Sequence, residues 1–164
     1  MSNITLQVAH PADFKLIYDL AKTIWNAHYV SIIGQEQVDY MLLKMYNYDS
    51  LYEQATIKKH HFYLIKHHDT AVGFVSVSSD NGSDYMIHKF YILSNESNSG
   101  LGTQVLKVLI DLLKPKSFKL TVNRQNYKSI NFYFKNGFKI TEVADFDIGN
   151  GFVMNDFVMK KTIA

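Results

Sequence analysis

The 164-residue sequence contains no cysteine, which excludes disulfides, thiolate metal sites and a cysteine nucleophile. Arg124 is the one arginine among seventeen cationic residues. An anion site must therefore rely on lysine, backbone N–H groups and helix ends instead of guanidinium forks. The net charge is only +2, too mild for the concentrated basic face of a dedicated nucleic-acid binder. Proline occurs twice, at Pro11 and Pro115, each time as a breaker between periodic segments. No stretch approaches the roughly 18 uncharged apolar residues of a membrane-spanning helix. The first twenty residues carry Asp13, Lys15 and Asp19 and lack the apolar run of a signal peptide. The expected address is the cytoplasm, with no membrane and no nucleic acid as partner.

Apolar material is plentiful. At 47% hydrophobic and 20% charged residues the chain can build a real core, and its length points to a single domain spanning 1–164. Eleven Tyr and eleven Phe supply large buried area and, for Tyr, a polar tip. Residues 4–8 read as a first strand. Phe14, Ile17, Tyr18, Ala21, Ile24 and Trp25 keep the three-and-four spacing of an amphipathic helix, and a second helical stripe follows Gly34 over 35–46. Three strands are expected over 61–67, 71–79 and 83–93, with turns at Asp69-Thr70 and Asp80-Asn81-Gly82. A helix over 103–113, a strand over 118–122, a helix over 127–136 closed by Gly137 as a left-handed cap, and strands over 138–143 and 151–159 complete the chain. The order β, αα, βββ, α, β, α, ββ predicts an α+β fold, a mixed sheet with helices on both faces.

The most informative join is 95–102, a polar glycine-containing loop feeding the helix at Thr103. Glycines let successive N–H groups turn toward one point, and the helix end adds partial positive charge, so the join suits a phosphate. A plain tight turn explains the same residues. Two phosphate motifs are excluded. The Walker pattern needs Gly-Lys-Ser/Thr, but Thr103 and Gln104 follow Gly102. The dinucleotide fingerprint needs a small residue where Val105 stands and an acidic one near Asn123 and Arg124.

Loop and downstream helix together resemble the GNAT superfamily of acyl-CoA-dependent N-acyltransferases. The strand His88-Lys89-Phe90-Tyr91-Ile92 precedes the loop Ser97-Asn98-Ser99-Gly100-Leu101-Gly102, which is similar to that family's Gln/Arg-x-x-Gly-x-Gly/Ala. The second signature reads Leu120-Thr121-Val122, Asn126, Phe132-Tyr133 and Asn136-Gly137-Phe138. Ser97 departs from the family's usual Gln or Arg.

The resemblance implies a GNAT-type mixed, mostly antiparallel sheet with helices on both faces, and acetyl-CoA as donor with CoA as product. It places the pyrophosphate on the N–H groups of Ser97, Asn98, Ser99, Gly100, Leu101, Gly102 and Thr103. The pantetheine arm would lie along Phe90, Tyr91 and Ile92, Asn126 would touch that arm, and Tyr133 would approach the sulfur. On one helix Asn126 and Tyr133 lie about 20° apart in projection and about 10 Å apart along the axis. Ile130 falls close to that face, while Tyr127 and Phe134 are expected to pack inward. Tyr133 is the expected catalytic acid toward the leaving thiolate, and an N–H near Tyr91 or Ile92 the oxyanion donor.

His88 is the candidate catalytic base, since an ordinary imidazole accepts a proton near neutrality; a partly buried packing histidine is the alternative. Trp25, His28 and Tyr29 are the expected substrate-binding residues, at the end of the first helix where the family places its acceptor site. Glu36, Asp39, Asp49 and Glu53 could attract a cationic amine, or simply form a solvated helix face. No metal is expected: His60, His61, His67 and His68 sit at the two ends of one strand, so each adjacent pair points to opposite faces. The expected activity is N-acetylation of a small primary amine, with polyamine-like amines among the candidates, by direct transfer in a ternary complex. A non-catalytic acyl-CoA-binding protein of this fold and an acetyltransferase acting on a protein amine are the alternatives. A homodimer is plausible through the closing strands.

Overall fold

The computed structural model describes residues 3–96 and 100–163. Its strands are β1 (Ile4–Val8), β2 (His61–His67), β3 (Thr70–Ser78), β4 (Asp84–Ile92), β5 (Ser117–Asn123), β6 (Lys139–Gly149) and β7 (Phe152–Thr162). The helices are α1 (Phe14–His28), α2 (Val30–Ile33), α3 (Gln35–Met45), α4 (Tyr48–Thr56), α5 (Leu101–Leu113) and α6 (Tyr127–Lys135). The strands hydrogen-bond in the order β1-β2-β3-β4-β5-β7-β6. The β4–β5 pair is parallel; the β1–β2, β2–β3, β5–β7 and β6–β7 ladders are antiparallel. The expected mixed, mostly antiparallel α+β sheet is therefore observed. Cα proximity divides the chain into two compact units: Met1–Ser78 with Lys89–Leu113, and Ser79–His88 with Lys114–Ala164.

In the first unit α1 buries Phe14, Ile17, Leu20, Ala21, Ile24 and Trp25 along one stripe, as its period dictates. A second cluster joins Ile4, Ile65, Val72, Leu101 and Val105, with Phe90 and Ile92 packed on it. Helix α4 has no counterpart in the sequence reading because only Leu51 of its nine residues is buried, which leaves no apolar period to detect. Asn47 nevertheless announces it as an N-cap, its side-chain oxygen accepting from Ser50 N at 2.8 Å.

In the second unit β5 pairs β7 from Ser117↔Thr162 to Asn123↔Asp156. Its ladder with β4 covers only Asp84↔Ser117, Tyr85↔Phe118 and Met86↔Lys119. Strands β6 and β7 extend well beyond their expected ends. Most of β6 is solvent-exposed, so backbone pairing fixes its length where side-chain alternation cannot. Gly149, Asn150 and Gly151 all have positive φ and turn the hairpin between them.

Candidate active site

In the first unit, α5 begins at Leu101, two residues earlier than expected. Gly100 has φ +78°, with no atom within 4 Å of where a Cβ would stand. Its carbonyl accepts from Gln104 N at 3.3 Å, so Gly100 opens the first turn. The N–H groups of that turn have no intrahelical acceptor and face outward from the helix end. Leu101 is buried in the β1–α5 cluster, which leaves its backbone alone available to a phosphate. Ser97, Asn98 and Ser99 lie outside the described residues.

Alternation along β4 sorts its side chains. Phe90 and Ile92 pack on the β1–α5 cluster, and His88, partly buried, falls on the same strand face by period. Tyr91 points the other way, into rings from α1. It lies 5.7 Å from Trp25, 6.2 Å from Tyr29 and 5.6 Å from Phe74, while Trp25 and Tyr29 are 4.8 Å apart and His28 lies 4.9 Å from Tyr29. The three residues expected at the acceptor site are thus brought together with the side chain of Tyr91. Tyr46 closes the cluster from α3, 5.9 Å from Trp25. Burial, then the neighbouring Tyr29, pushes the Tyr46 hydroxyl well above the usual tyrosine range, tempered by Trp25 and Tyr91. The sequence reading missed Tyr46 as a member of this cluster.

Lys89 shares the Tyr91 face and was also missed. Its Nζ donates to Gln54 Oε1 at 2.5 Å and lies 5.5 Å from the ring centroids of both Tyr46 and Phe62. Burial first, then Lys58, lowers its pKa to about 8. Nearby His60 is lowered to about 4, by burial first and then by Lys89 and Lys58. Opposite Tyr91, a Cβ on Gly73 would strike the Tyr91 carbonyl oxygen. Glycine in β3 is what lets this stretch of β4 backbone come so close.

In the second unit, Asn126 is 1% exposed and caps α6, its side-chain oxygen accepting from Ser129 N at 3.3 Å. Ile130 and Tyr133 are the buried residues of the helix. Tyr127 and Phe134, expected to pack inward, are exposed instead, because the inward stripe runs through Asn126, Ile130 and Tyr133 and both lie one position beyond it. Gly137 takes φ +89°. Gly137 N donates to Phe134 O at 3.1 Å and Phe138 N to Tyr133 O at 3.0 Å, the paired bonds of a Schellman cap. The Phe138 ring then packs 5.3 Å from that of Tyr133. The Gly-Phe ending fixes both backbone and ring of Tyr133.

Asp156 on β7 is 1% exposed; no described side chain meets the full distance and angle of a hydrogen bond to its carboxylate, and the Thr121 hydroxyl is a donor that acts on it. Burial raises its pKa to about 6, against the lowering influence of the Thr121 hydroxyl and Arg124, with Asp145 adding to the rise. An acidic residue at an inward register of an apolar strand was the signal available in the sequence.

A model of the acetyltransferase (GNAT) family matches residues 18–138 of the chain. The chain belongs to that family. Spermidine N(1)-acetyltransferase from Thermoplasma acidophilum is 20% identical over 156 residues, 91% of each chain. The crystal structure of the PaiA N-acetyltransferase from the same organism, in complex with coenzyme A, superposes with a TM-score of 0.79 at 23% identity, covering 99% of this chain and 100% of that one. A GCN5-related N-acetyltransferase from Rhodopseudomonas palustris gives a TM-score of 0.80 at 16% identity, covering 99% and 98%. In this GNAT acetyltransferase, each unit carries one of the two segments on which the sequence resemblance rests: the glycine turn before α5 in the first, and the Asn126–Phe138 segment in the second.

Proposed function

We propose that the protein transfers an acetyl group from acetyl-CoA to the primary amine of a small molecule, polyamine-like in character, by direct transfer in a ternary complex. The observation that carries this reading is the start of α5. A left-handed Gly100 opens α5, whose first-turn N–H groups have no intrahelical acceptor and suit an anion such as a pyrophosphate. The CoA complex of the similar PaiA enzyme and the spermidine acetyltransferase relative support the same donor and acceptor classes. Acetyl-CoA supplies the acetyl group as a thioester whose leaving group is a thiolate.

The chain's own residues then have distinct tasks. Backbone N–H groups at Gly100, Gly102 and Thr103 hold the anion, and the Tyr91 or Ile92 N–H stabilises the oxyanion. His88 takes the proton that the ammonium must lose before its nitrogen attacks. Tyr133, anchored by its Schellman cap, donates its hydroxyl proton to the departing sulfur. Trp25, His28 and Tyr29 line the acceptor side with Tyr91. Holding the two reactants together supplies most of the rate.

Calorimetric titration of acetyl-CoA and CoA, followed by thiol release with spermidine, tests the reading. Micromolar binding with turnover is expected; no binding at millimolar concentration overturns it. Tyr133→Phe is expected to lower kcat by roughly 10²- to 10⁴-fold with the acetyl-CoA Kd unchanged. Unaltered turnover would remove Tyr133 from the mechanism.

A further inference from the structure

Glu96 is the only charged residue between Lys89 and Lys107, so the segment leading into α5 contributes an anion and no cation of its own. The described ends of that segment are held at one place. Leu93 N donates to Val72 O at 2.8 Å, and Leu101 packs in the cluster that contains Val72. Entry and exit therefore converge on β3, and Glu96 N donates back to Leu93 O at 2.9 Å. The chain cannot carry Glu96 more than about 14 Å from Gly100. Its side chain is held by β2: Glu96 Oε2 lies 3.2 Å from His67 Nδ1, twenty-nine positions away. A carboxylate oxygen accepts, so Nδ1 carries the proton and donates. His67 is a firm anchor for this bond. It pairs with Ile4 of β1 on one side and Thr70 of β3 on the other, and its ring lies 4.4 Å from that of His68.

We propose that His67 is a positioning residue for the coenzyme: it holds the Glu96 carboxylate on the β2 side and keeps it off the start of α5. This rests on the reading that the first turn of α5 receives the pyrophosphate of acetyl-CoA. A carboxylate near a helix N-terminus is itself stabilised by the unpaired N–H groups and the helix dipole. Glu96, tethered a few residues away, has a high effective concentration at that turn. Released from His67, it competes with the pyrophosphate for the same donors and repels a ligand of its own sign. Residues 90–106 include no cation to offset it, since serine stands at position 97 and the one arginine is Arg124. The histidine on β2 is what makes an acidic join compatible with an anionic ligand.

The test is calorimetric titration of acetyl-CoA into the full chain, native and with His67→Ala, Glu96→Ala and the two substitutions combined. His67→Ala is expected to raise the acetyl-CoA Kd by roughly 3- to 30-fold, the range that corresponds to a carboxylate occupying a helix N-terminus. Glu96→Ala breaks the same hydrogen bond but also removes the competitor, so its Kd is expected to equal the native value or fall below it. The double variant is expected to behave as Glu96→Ala, restoring the binding lost in His67→Ala; a misfolded histidine variant would show no such restoration. A Kd raised equally in both single variants and not restored in the double overturns the inference, since a purely structural clasp predicts that pattern. A native Kd in His67→Ala overturns it as well. Either result leaves the acetyl-transfer reading intact while the native chain binds acetyl-CoA. No binding to the native chain at millimolar concentration overturns that reading, and this inference with it.

Discussion

Lys89 in the first unit and Asp156 in the second have both lost water, and only one has been given a replacement. Lys89 keeps a charge-assisted bond to Gln54 and two aromatic faces over its ammonium, which compensate part of its desolvation. Asp156 has only the influence of the Thr121 hydroxyl, and Arg124 is engaged by Asp145 and two carbonyls. Burial drives both pKa values toward the neutral form, to about 8 and about 6. The lesson lies in the partners. A buried charge completed by its own fold holds its neighbours in place, whereas one left incomplete is a cost that protonation can remove.

The contrast breaks most sharply if the partner of Lys89 is removed. Gln54→Leu leaves the ammonium buried without its acceptor and is expected to cost about 2–3 kcal/mol in urea unfolding at pH 7. Adding Lys89→Met should recover most of that loss, and no recovery would show that Gln54 acts through something other than Lys89. The opposite sign is expected at the other site. Asp156→Asn should stabilise the protein by up to about 3 kcal/mol at pH 7, the equivalent of its displaced titration.

Acid titration sharpens the comparison further. His60, lowered to about 4, has its full stabilising effect above the unfolded value near 6.5, and that contribution is lost as pH falls from 6.5 to 4. Asp156, raised to about 6, binds its proton earlier in the folded state than in the unfolded one. Its burden therefore lightens as pH falls from 6 to about 4. The two slopes oppose each other, so unfolding free energy between pH 6.5 and 4 should change little in the native protein and fall clearly in Asp156→Asn. The smallest effect lies at alkaline pH. The lowered Lys89 pKa means that the unfolded chain holds the proton longer, so stability should rise between pH 8 and 10.5 and do so less in Lys89→Met.

Much of the fold was legible in the residues because side-chain period and local capping carry it. The α1 stripe, the strand 61–67 and the Gly137 cap stand where the sequence places them. Helix α4 and the outer part of β6 were not legible, since one buries a single leucine and the other is mostly exposed. Of the candidate site, Trp25, His28 and Tyr29 do gather with Tyr91. Residue type and position on β4 singled out His88, while Lys89, on the Tyr91 face, was passed over although alternation places it there.

The sequence by itself determined the order of the strands, the glycine turn before α5 and the Asn126–Phe138 segment that orients Tyr133, because these depend on bonds between residues a few positions apart. Only the tertiary structure decided that Lys89 would have Gln54 thirty-five positions away as its partner, that Gly73 would admit the Tyr91 carbonyl, and that Asp156 would be buried beside little more than the Thr121 hydroxyl. Desolvation is a property of what surrounds a group after the chain has folded, and no local pattern of residues records it.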